Sequence, residues 1–545
     1  MPALRVAVIG AGPSGLTAAK TCLESGLEPV VFEQSDALGG LWYFDEKVCR
    51  EGQPSVMRST VINSSKELTA FSDFPAPAHF PNYMHHSMLL LYLRMYADHF
   101  GVTQRIRTRH AVRDVRPTKD HDRTGRWLVT VEDLSSNQTS RSVFDAVMVC
   151  VGHHAYPHRP PLPGLEHFRG RVQHTHAVKD CDRFKGRRLL VVGTGNSGMD
   201  VATEASLFAH KVYLSTRRGS WVLHRVAPNG FPMDTVIQRR YYAPLPMWLL
   251  NTLAERESQK LFNHDLLGLR PRHRLFQQHP TINDALANRI LSGTLVVKGD
   301  VAEVTESGVL FRGEQEDTKL DDIVLATGYE IRQVFPFLSE SLVRVEDNRL
   351  ALFKYVFPVR LKRPETLSFL GYIQPLGAIN PIAEVQARWV VQLLLGNVRL
   401  PTKEAMLEDI GHTESRQRRR YVSSPRHTIQ VDYMPYTRDI ARRIGADPNL
   451  GSLFLRHPAL WWAAVAGPQV PYLYRLQGPH PWPGAADAIL RTRERVLKPL
   501  QTRMDFGDQS RPSREVDKLD YTVMLAVVVL VSVLMVPLLA HCVFM

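Results

Sequence analysis

A chain of 545 residues is too long for one ordinary core, so several folding units are expected. Its 44% hydrophobic and 22% charged content argues for a packed, enzyme-sized body and against an unpacked chain. The formal net charge of +13 would suit nucleic acid, an anionic membrane or an anionic cofactor, but the basic residues are scattered and no nucleic-acid partner is expected.

The chain opens on an apolar strand, residues 5–9, so no signal peptide is read there. "VIGAGPSG" follows, with Gly10, Gly12 and Gly15 after the strand and at the start of a helix carrying Ala18 and Ala19. In this spacing the first glycine permits a tight turn, the second lets backbone approach a pyrophosphate, and the third lets helix and sheet pack closely. Ala11, Pro13 and Ser14 complete the cradle. A second strand, residues 29–32, ends in Glu33, an acid placed for a ribose hydroxyl. "LGGLW", residues 38–42, brings Gly40, Leu41 and Trp42, which read either as backbone close to a ligand or as a turn capped by a core tryptophan. A helix over 87–100, with Leu90, Leu93 and Met95 at mixed spacing, needs only a packing role. "HHAYPH", with His153, His154 and His158, reads as a loop, and no metal site is expected.

A second cradle, "LLVVGTGNSGMD", repeats the device with Gly193, Gly195 and Gly198 after a strand at 189–192 and a helix starting near Asn196. Its partner strand, 211–215, ends in "STRRG", so Thr216, Arg217 and Arg218 stand where the first cradle has its acid. Guanidinium groups bind a 2′-phosphate that a carboxylate would repel, so this cradle suits NADPH and the first suits FAD. Beyond it, "YYAPLPMWLL" could line a substrate tunnel, seat the body on a membrane or lie in the core. "DAVMVCVG" at 145–152 and "DDIVLATGYE" at 321–330 are strands ending in glycine, expected where the chain returns to the flavin sheet. "RQRRR" at 416–420 is the one dense basic run, a lipid or nucleic-acid contact or a solvated helix face.

The expected architecture is α/β, with two Rossmann-like dinucleotide-binding domains. Residues 1–156 form the first part of the FAD domain, 157–325 an inserted NADPH domain, and 326–445 the second part of the FAD domain. A Pro- and Trp-rich covering segment and polar linker span 446–518. Residues 519–541 then read as a transmembrane helix, since no Asp, Glu, Lys or Arg follows Tyr521 and about 20 apolar residues cross a bilayer core. Arg511, Arg514 and Lys518 precede it with nothing basic after, which puts the body on the cytosolic side of a tail anchor.

A flavin beside a nicotinamide site passes electrons to a disulfide, to a quinone or metal centre, or to oxygen. The five cysteines (Cys22, Cys49, Cys150, Cys181, Cys542) form no paired motif, and no Cys or His cluster has ligand spacing, which leaves molecular oxygen as the acceptor.

At these residues the chain resembles the animal microsomal flavin-containing monooxygenases, class B flavoprotein monooxygenases of the dimethylaniline monooxygenase type. The similarity runs from the first strand to the tail and rests on both cradles, "INSSKELTAFSDFP", "FRGRVQH", "STRRGSWVLHR", "QHPTINDALANRI", "LATGY" and "IQPLGAINPIAEVQARW". The resemblance implies that NADPH reduces FAD, that the flavin takes up oxygen as a C4a-hydroperoxide, and that a soft nucleophile such as a xenobiotic amine or sulfide attacks it. Baeyer-Villiger oxygenation of ketones and release of hydrogen peroxide are the enzymatic alternatives, and a membrane-tethered scaffold with a silent cofactor fold is the non-enzymatic one. The resemblance also implies an endoplasmic reticulum membrane location and leaves a homo-oligomer open.

By the same resemblance Asn63 is the catalytic amide near flavin and oxygen, with Ser64 beside it on the cofactor. An amide can donate to an oxygen atom without protonating it. Ser64 or Ser65 before Lys66 and Glu67 also reads as a helix N-cap. Asn196, Ser197, Gly198, Met199 and Asp200 carry over as NADP contacts, and Gln374 as a cofactor contact. One position departs from the pattern: four residues after His174 the family has an aromatic residue, and this chain has Val178. That leaves the substrate type undecided and bears on motion of the cofactor domain.

Overall fold

The computed structural model describes residues 3–46, 50–331, 334–346, 348–422, 424 and 428–503. The expected membrane segment at 519–541 and the linker before it lie outside the described residues. Among the described residues no helix is long and apolar enough to cross a membrane.

Two parallel five-stranded sheets organise the chain. The first runs Leu367–Phe369, Ala146–Val149, Arg5–Ile9, Glu28–Phe32, Ile106–Arg107. The second runs Leu295–Lys298, Lys211–Ser215, Arg188–Val192, Asp322–Leu325, Arg171–His174. Both faces of each are covered, which is why these strands read as nearly unbroken apolar runs. Along Arg5–Ile9, Val6 and Val8 enter one core while Ala7 and Ile9 enter the core on the opposite face, as the two-residue period of a strand requires. Leu189 and Val191 are divided from Leu190 in the same way in the second sheet.

In each sheet the order of strands reverses beside the cradle strand, and the cradle sits at its carboxyl end, where open α/β sheets bind ligands. Between Ile106–Arg107 and Ala146–Val149 the chain makes an antiparallel meander of His110–Pro117, Trp127–Asp133 and Gln138–Phe144.

One expectation is corrected. Ala146–Val149 does join the first sheet, but Asp322–Leu325 pairs with Arg188–Val192 and Arg171–His174 in the second. The two strands read alike because each ends against the first glycine of a cradle, so their sequence cannot say which cradle. The chain re-enters the first sheet only at Leu367–Phe369. The helix expected at 87–100 is His86–His99, and its fully buried positions include Leu89, Tyr92, Leu93 and Tyr96, whereas Leu90 and Met95 are half-buried.

The C-terminal segment closes over the first unit. Tyr472, Leu473 and Tyr474 are buried in its core, and the buried Arg475 guanidinium pairs with Glu24 at 3.0 Å, Asp73 at 2.9 Å and Glu384 at 3.0 Å. The basic run lies on the exposed helix Lys403–Arg420, where Arg418 faces Glu414 and Arg420 pairs with Asp432 at 3.1 Å. Residues 241–250 divide: Tyr241 and Leu245 are buried, while Met247 and Trp248 are exposed.

Candidate active site

The first cradle is built by close approach. Gly10 has φ +102°, and a Cβ there would lie 2.7 Å from the Cys150 carbonyl oxygen. A Cβ on Gly15 would run into the Gly10 carbonyl, so only glycine brings the helix Pro13–Glu24 this near the strand. Gly12 meets nothing nearer than Gly40 Cα at 3.6 Å, which leaves its backbone approachable by a pyrophosphate. "LGGLW" lies on the same spot: Gly39 N donates to Ala11 O at 2.9 Å, Gly40 faces Gly12, and Leu41 and Trp42 are half-buried. Trp42 packs on the core, as the turn reading has it, and the glycines lie against the cradle backbone, where the ligand reading would need them. Glu33 Oε2 accepts from Ala11 N at 2.7 Å, and Oε1 accepts from Ser35 N and Oγ, each at 2.8 Å. The acid is thereby held at the end of its strand by donors of the cradle. Ser14 abuts Gly371, and Gln374 is half-buried, its N–H donating to Ile429 O at 2.8 Å.

The second cradle repeats this construction. Gly193 has φ +114°, and its Cβ would lie 2.5 Å from Ala326 O, while a Cβ on Gly198 would run into the Gly193 carbonyl. Gly195 has open space around its Cβ position. The segment Thr281–Ile282 braces the loop from outside: Ile282 N donates to Asn196 Oδ1 at 2.8 Å, and Thr281 Oγ1 donates to Thr194 O at 2.6 Å. Ser197 is exposed at the mouth. The Met199 side chain is fully buried in the second core with Val191 and Leu214, so the expected NADP contact there would have to come from its backbone at the helix start. Asp200 receives Asn283 Nδ2 at 3.4 Å, and burial raises its carboxyl to about 6.

Thr216, Arg217 and Arg218 open onto a recess of about 1130 Å³ that Arg270, Arg272 and Lys298 also line. Among the described residues lining it there is no carboxylate; Lys298 is paired with Glu314 at 2.8 Å and Arg270 lies 3.6 Å from Asp265, which leaves Arg217, Arg218 and Arg272 as the cations that favour an anion there. Thr216 Oγ1 accepts from Gly219 N at 3.1 Å and fixes the turn that carries the arginines. Arg270 stacks on Trp221 at 4.6 Å. Arg270 and Arg272 were missed from sequence, though the alternating basic residues of "LRPRHR" were their signal.

Asn63 is exposed, and its Oδ1 accepts from Arg225 Nη2 at 2.8 Å. A guanidinium only donates, so the amide oxygen must face Arg225 and the NH₂ group points away from it. Arg225 is held in turn by Asp284, through its backbone N at 2.8 Å and Nη1 at 2.8 Å. Burial opposes the Asp284 charge, but hydrogen bonds from His224 and Arg225 outweigh it and hold the carboxyl down at about 2. Arg225 and Asp284 stand in "VLHR" and "NDAL", yet nothing local in either motif says that they meet at Asn63.

Ser64 Oγ pairs with Thr69 Oγ1 at 2.7 Å. The expected serine cap is not formed: the helix Lys66–Thr69 starts after Ser65, whose side chain makes no cap hydrogen bond, and Asp234 Oδ2 takes the Ser65 N–H at 2.6 Å instead.

The histidine of "FRGRVQH", His174, is buried with Nδ1 accepting from His176 N at 3.1 Å and Nε2 without a partner, and burial lowers it to about 4. Val178 is fully buried in the second core, so the departure from the family pattern acts through packing. Cys22, Cys150 and Cys181 are free and buried, and burial pushes the Cys22 thiol up to about 12. Thiols held protonated in this way are poor electron relays. Among the described residues no group of three or more His, Cys, Asp or Glu could hold a metal ion.

The model of the flavin-binding monooxygenase-like family matches residues 3–538. The chain belongs to this family. Flavin-containing monooxygenase 5 of Rattus norvegicus is 45% identical over 515 residues, covering 93% of this chain and 95% of that one. Dimethylaniline monooxygenase [N-oxide-forming] 2 of Macaca mulatta is 42% identical over 508 residues, covering 92% and 94%. Among solved structures, S-allyl-L-cysteine S-oxygenase from Allium sativum shares the fold with a TM-score of 0.64 at 21% identity, over 91% of this chain and 99% of that one. The monooxygenase is thus an FAD- and NADPH-dependent flavoprotein enzyme of α/β fold that acts on oxygen and a small-molecule substrate. Its residues fit both groups: two glycine cradles with open middle positions, one ending in an acid and one in arginines.

Proposed function

We propose that the monooxygenase holds FAD at Gly10 to Gly15, Glu33 and the Gly40 to Trp42 turn, holds NADPH at Gly193 to Gly198 with Thr216 and Arg217, and oxygenates soft nucleophiles, tertiary amines and sulfides. Bound FAD supplies the two-electron chemistry with oxygen, and NADPH supplies the hydride. The chain binds the donor's 2′-phosphate with arginines and directs the Asn63 amide. The observation that carries this reading is the Arg225–Asn63 hydrogen bond, which holds the amide oxygen towards Arg225 and turns the N–H groups away from it. A neutral donor can stabilise an oxygen atom without discharging it as an acid would. The N-oxide-forming relative favours heteroatoms as acceptors of oxygen.

The domain boundaries expected from sequence, with 157–325 as the NADPH domain, belong to this proposal. So does anchoring in the endoplasmic reticulum membrane by residues 519–541, with the body on the cytosolic face. Exposed Trp248 and Met247 suit a body that lies against that bilayer.

The test is product analysis of the purified enzyme with NADPH, ¹⁸O₂ and a panel of a sulfide, a tertiary amine and a ketone. Label in the S-oxide and N-oxide supports the reading. Label confined to a ketone-derived ester, or to hydrogen peroxide in step with NADPH consumed, overturns it.

A further inference from the structure

Asp234 lies in the short helix Met233–Ile237, far along the chain from the Asn63 turn, yet it accepts the Ser65 N–H at 2.6 Å. Its other oxygen, Oδ1, is buried without a hydrogen-bond partner. A carboxylate enclosed in this way is costly to place, and in the first turn of its own helix it also serves the distant Ser65 amide.

The groups around it are named by their contacts. Tyr83 Oη donates to Arg225 O at 2.5 Å and accepts from Met233 N at 3.2 Å, and the charge of Asp234 opposes ionisation of both Tyr83 and Tyr433. Arg225 turns its guanidinium to Asn63 and Asp284. Lys66, on the helix that follows Ser65, donates to the carbonyls of Ala78 and Phe80, and Arg239 donates to Thr235 O. Burial dominates: it raises the Asp234 carboxyl to about 6 against hydrogen bonds from Ser65 and Thr235.

The Asn63 turn is therefore held at two points, Arg225 on the Asn63 amide oxygen and Asp234 on the Ser65 amide. Both holders come from the segment that follows the second cradle and its partner strand. We propose that Asp234 is a positioning residue for oxygen transfer: by gripping the Ser65 N–H it sets the direction in which the Asn63 NH₂ donates. The proposal rests on the role given to Asn63 above. An ionised carboxylate grips an amide N–H more strongly than a neutral one, so the grip weakens as Asp234 takes up a proton. When the donor is misdirected, the hydride equivalent from NADPH (two electrons and one proton), a second proton from solvent and the oxygen molecule leave as hydrogen peroxide, NADP⁺ remains, and the substrate is not oxygenated.

The experiment measures hydrogen peroxide released per NADPH consumed, with a sulfide substrate, between pH 5 and 8 for the full-length wild type and for Asp234→Asn, Asp234→Ala and Asn63→Ala, with flavin content as a control. At pH 8 the peroxide fraction should rise from wild type to Asp234→Asn to Asp234→Ala, the last by about three- to tenfold. As pH falls through about 6, wild type should climb to the level of Asp234→Asn, whose own profile stays flat. Asp234→Ala with the wild-type peroxide fraction, or Asp234→Asn with the wild-type pH profile, overturns the proposal. A rise in Asn63→Ala alone overturns the Asp234 role and leaves the Asn63 reading standing. No rise in either alanine variant overturns both.

Discussion

Arg217 stands at the end of a strand where the other cradle has Glu33, and that exchange is the chemical difference between the two sites. Replacing it with Ala should weaken NADPH binding by about 1.5 to 3 kcal/mol, the worth of hydrogen bonds to a charged group, and leave NADH binding unchanged. Dissociation constants for both nucleotides check this, and an equal loss for both would remove the assignment. Asp200 gives a pH prediction. Its folded carboxyl is raised to about 6 from an ordinary 3.8, so the folded state binds the proton more tightly than the unfolded one. Its contribution to stability is therefore full at low pH and is lost as pH rises through that window. Asp200→Asn should flatten the denaturant midpoint between about pH 4 and 6, and a profile as steep as wild type would contradict it. At this scale the cradles were legible because each is a local spacing. Arg225, Asp234 and Asp284 were not, because Arg225 reaching Asn63, Asp234 reaching Ser65 and Asp284 holding Arg225 all span long separations that no local pattern encodes.

Each cradle is one element pair, a strand and a helix brought together by glycine, and the three glycines have separable duties. Gly198→Ala would push a Cβ into the Gly193 carbonyl, whereas Gly195→Ala meets nothing within 4 Å. Thermal denaturation should show Gly198→Ala destabilised by about 1 to 3 kcal/mol. Gly195→Ala should melt as wild type but bind NADPH less well, and matching behaviour of the two would show that packing and binding are not divided in this way. Element boundaries near the cradles followed from sequence because glycine marks both turn and helix start. The strand Asp322–Leu325 did not, since an apolar strand ending in a small residue carries no label for its sheet. The helix Lys66–Thr69 begins after Ser65 without a serine side-chain cap, and the Ser65 N–H, the amide that a capping box would satisfy from within the helix, goes to a carboxylate distant in sequence.

The whole molecule depends on its C-terminal segment to seal the first unit. Arg475, fully buried, answers three carboxylates, so Arg475→Met should leave Glu24, Asp73 and Glu384 short of a cation and cost about 3 to 5 kcal/mol. Urea denaturation monitored by flavin release would show it, and a wild-type midpoint would mean that Lys20, which also pairs with Glu24 at 2.7 Å and with Asp73, suffices. Composition and the paired cradles made the α/β architecture readable, while the closing role of Arg475 needed the fold, since its partners lie on three separate segments.

An oxygenase of this kind must hold oxygen ready for a substrate after reduction and not release it at once. Stopped-flow spectroscopy decides this: enzyme reduced by one equivalent of NADPH is mixed with oxygen in the absence of substrate. A flavin spectrum distinct from the oxidised one should persist until a sulfide is added and then decay with formation of S-oxide. Immediate return of the oxidised spectrum, with one equivalent of hydrogen peroxide and no effect of the sulfide, would contradict it.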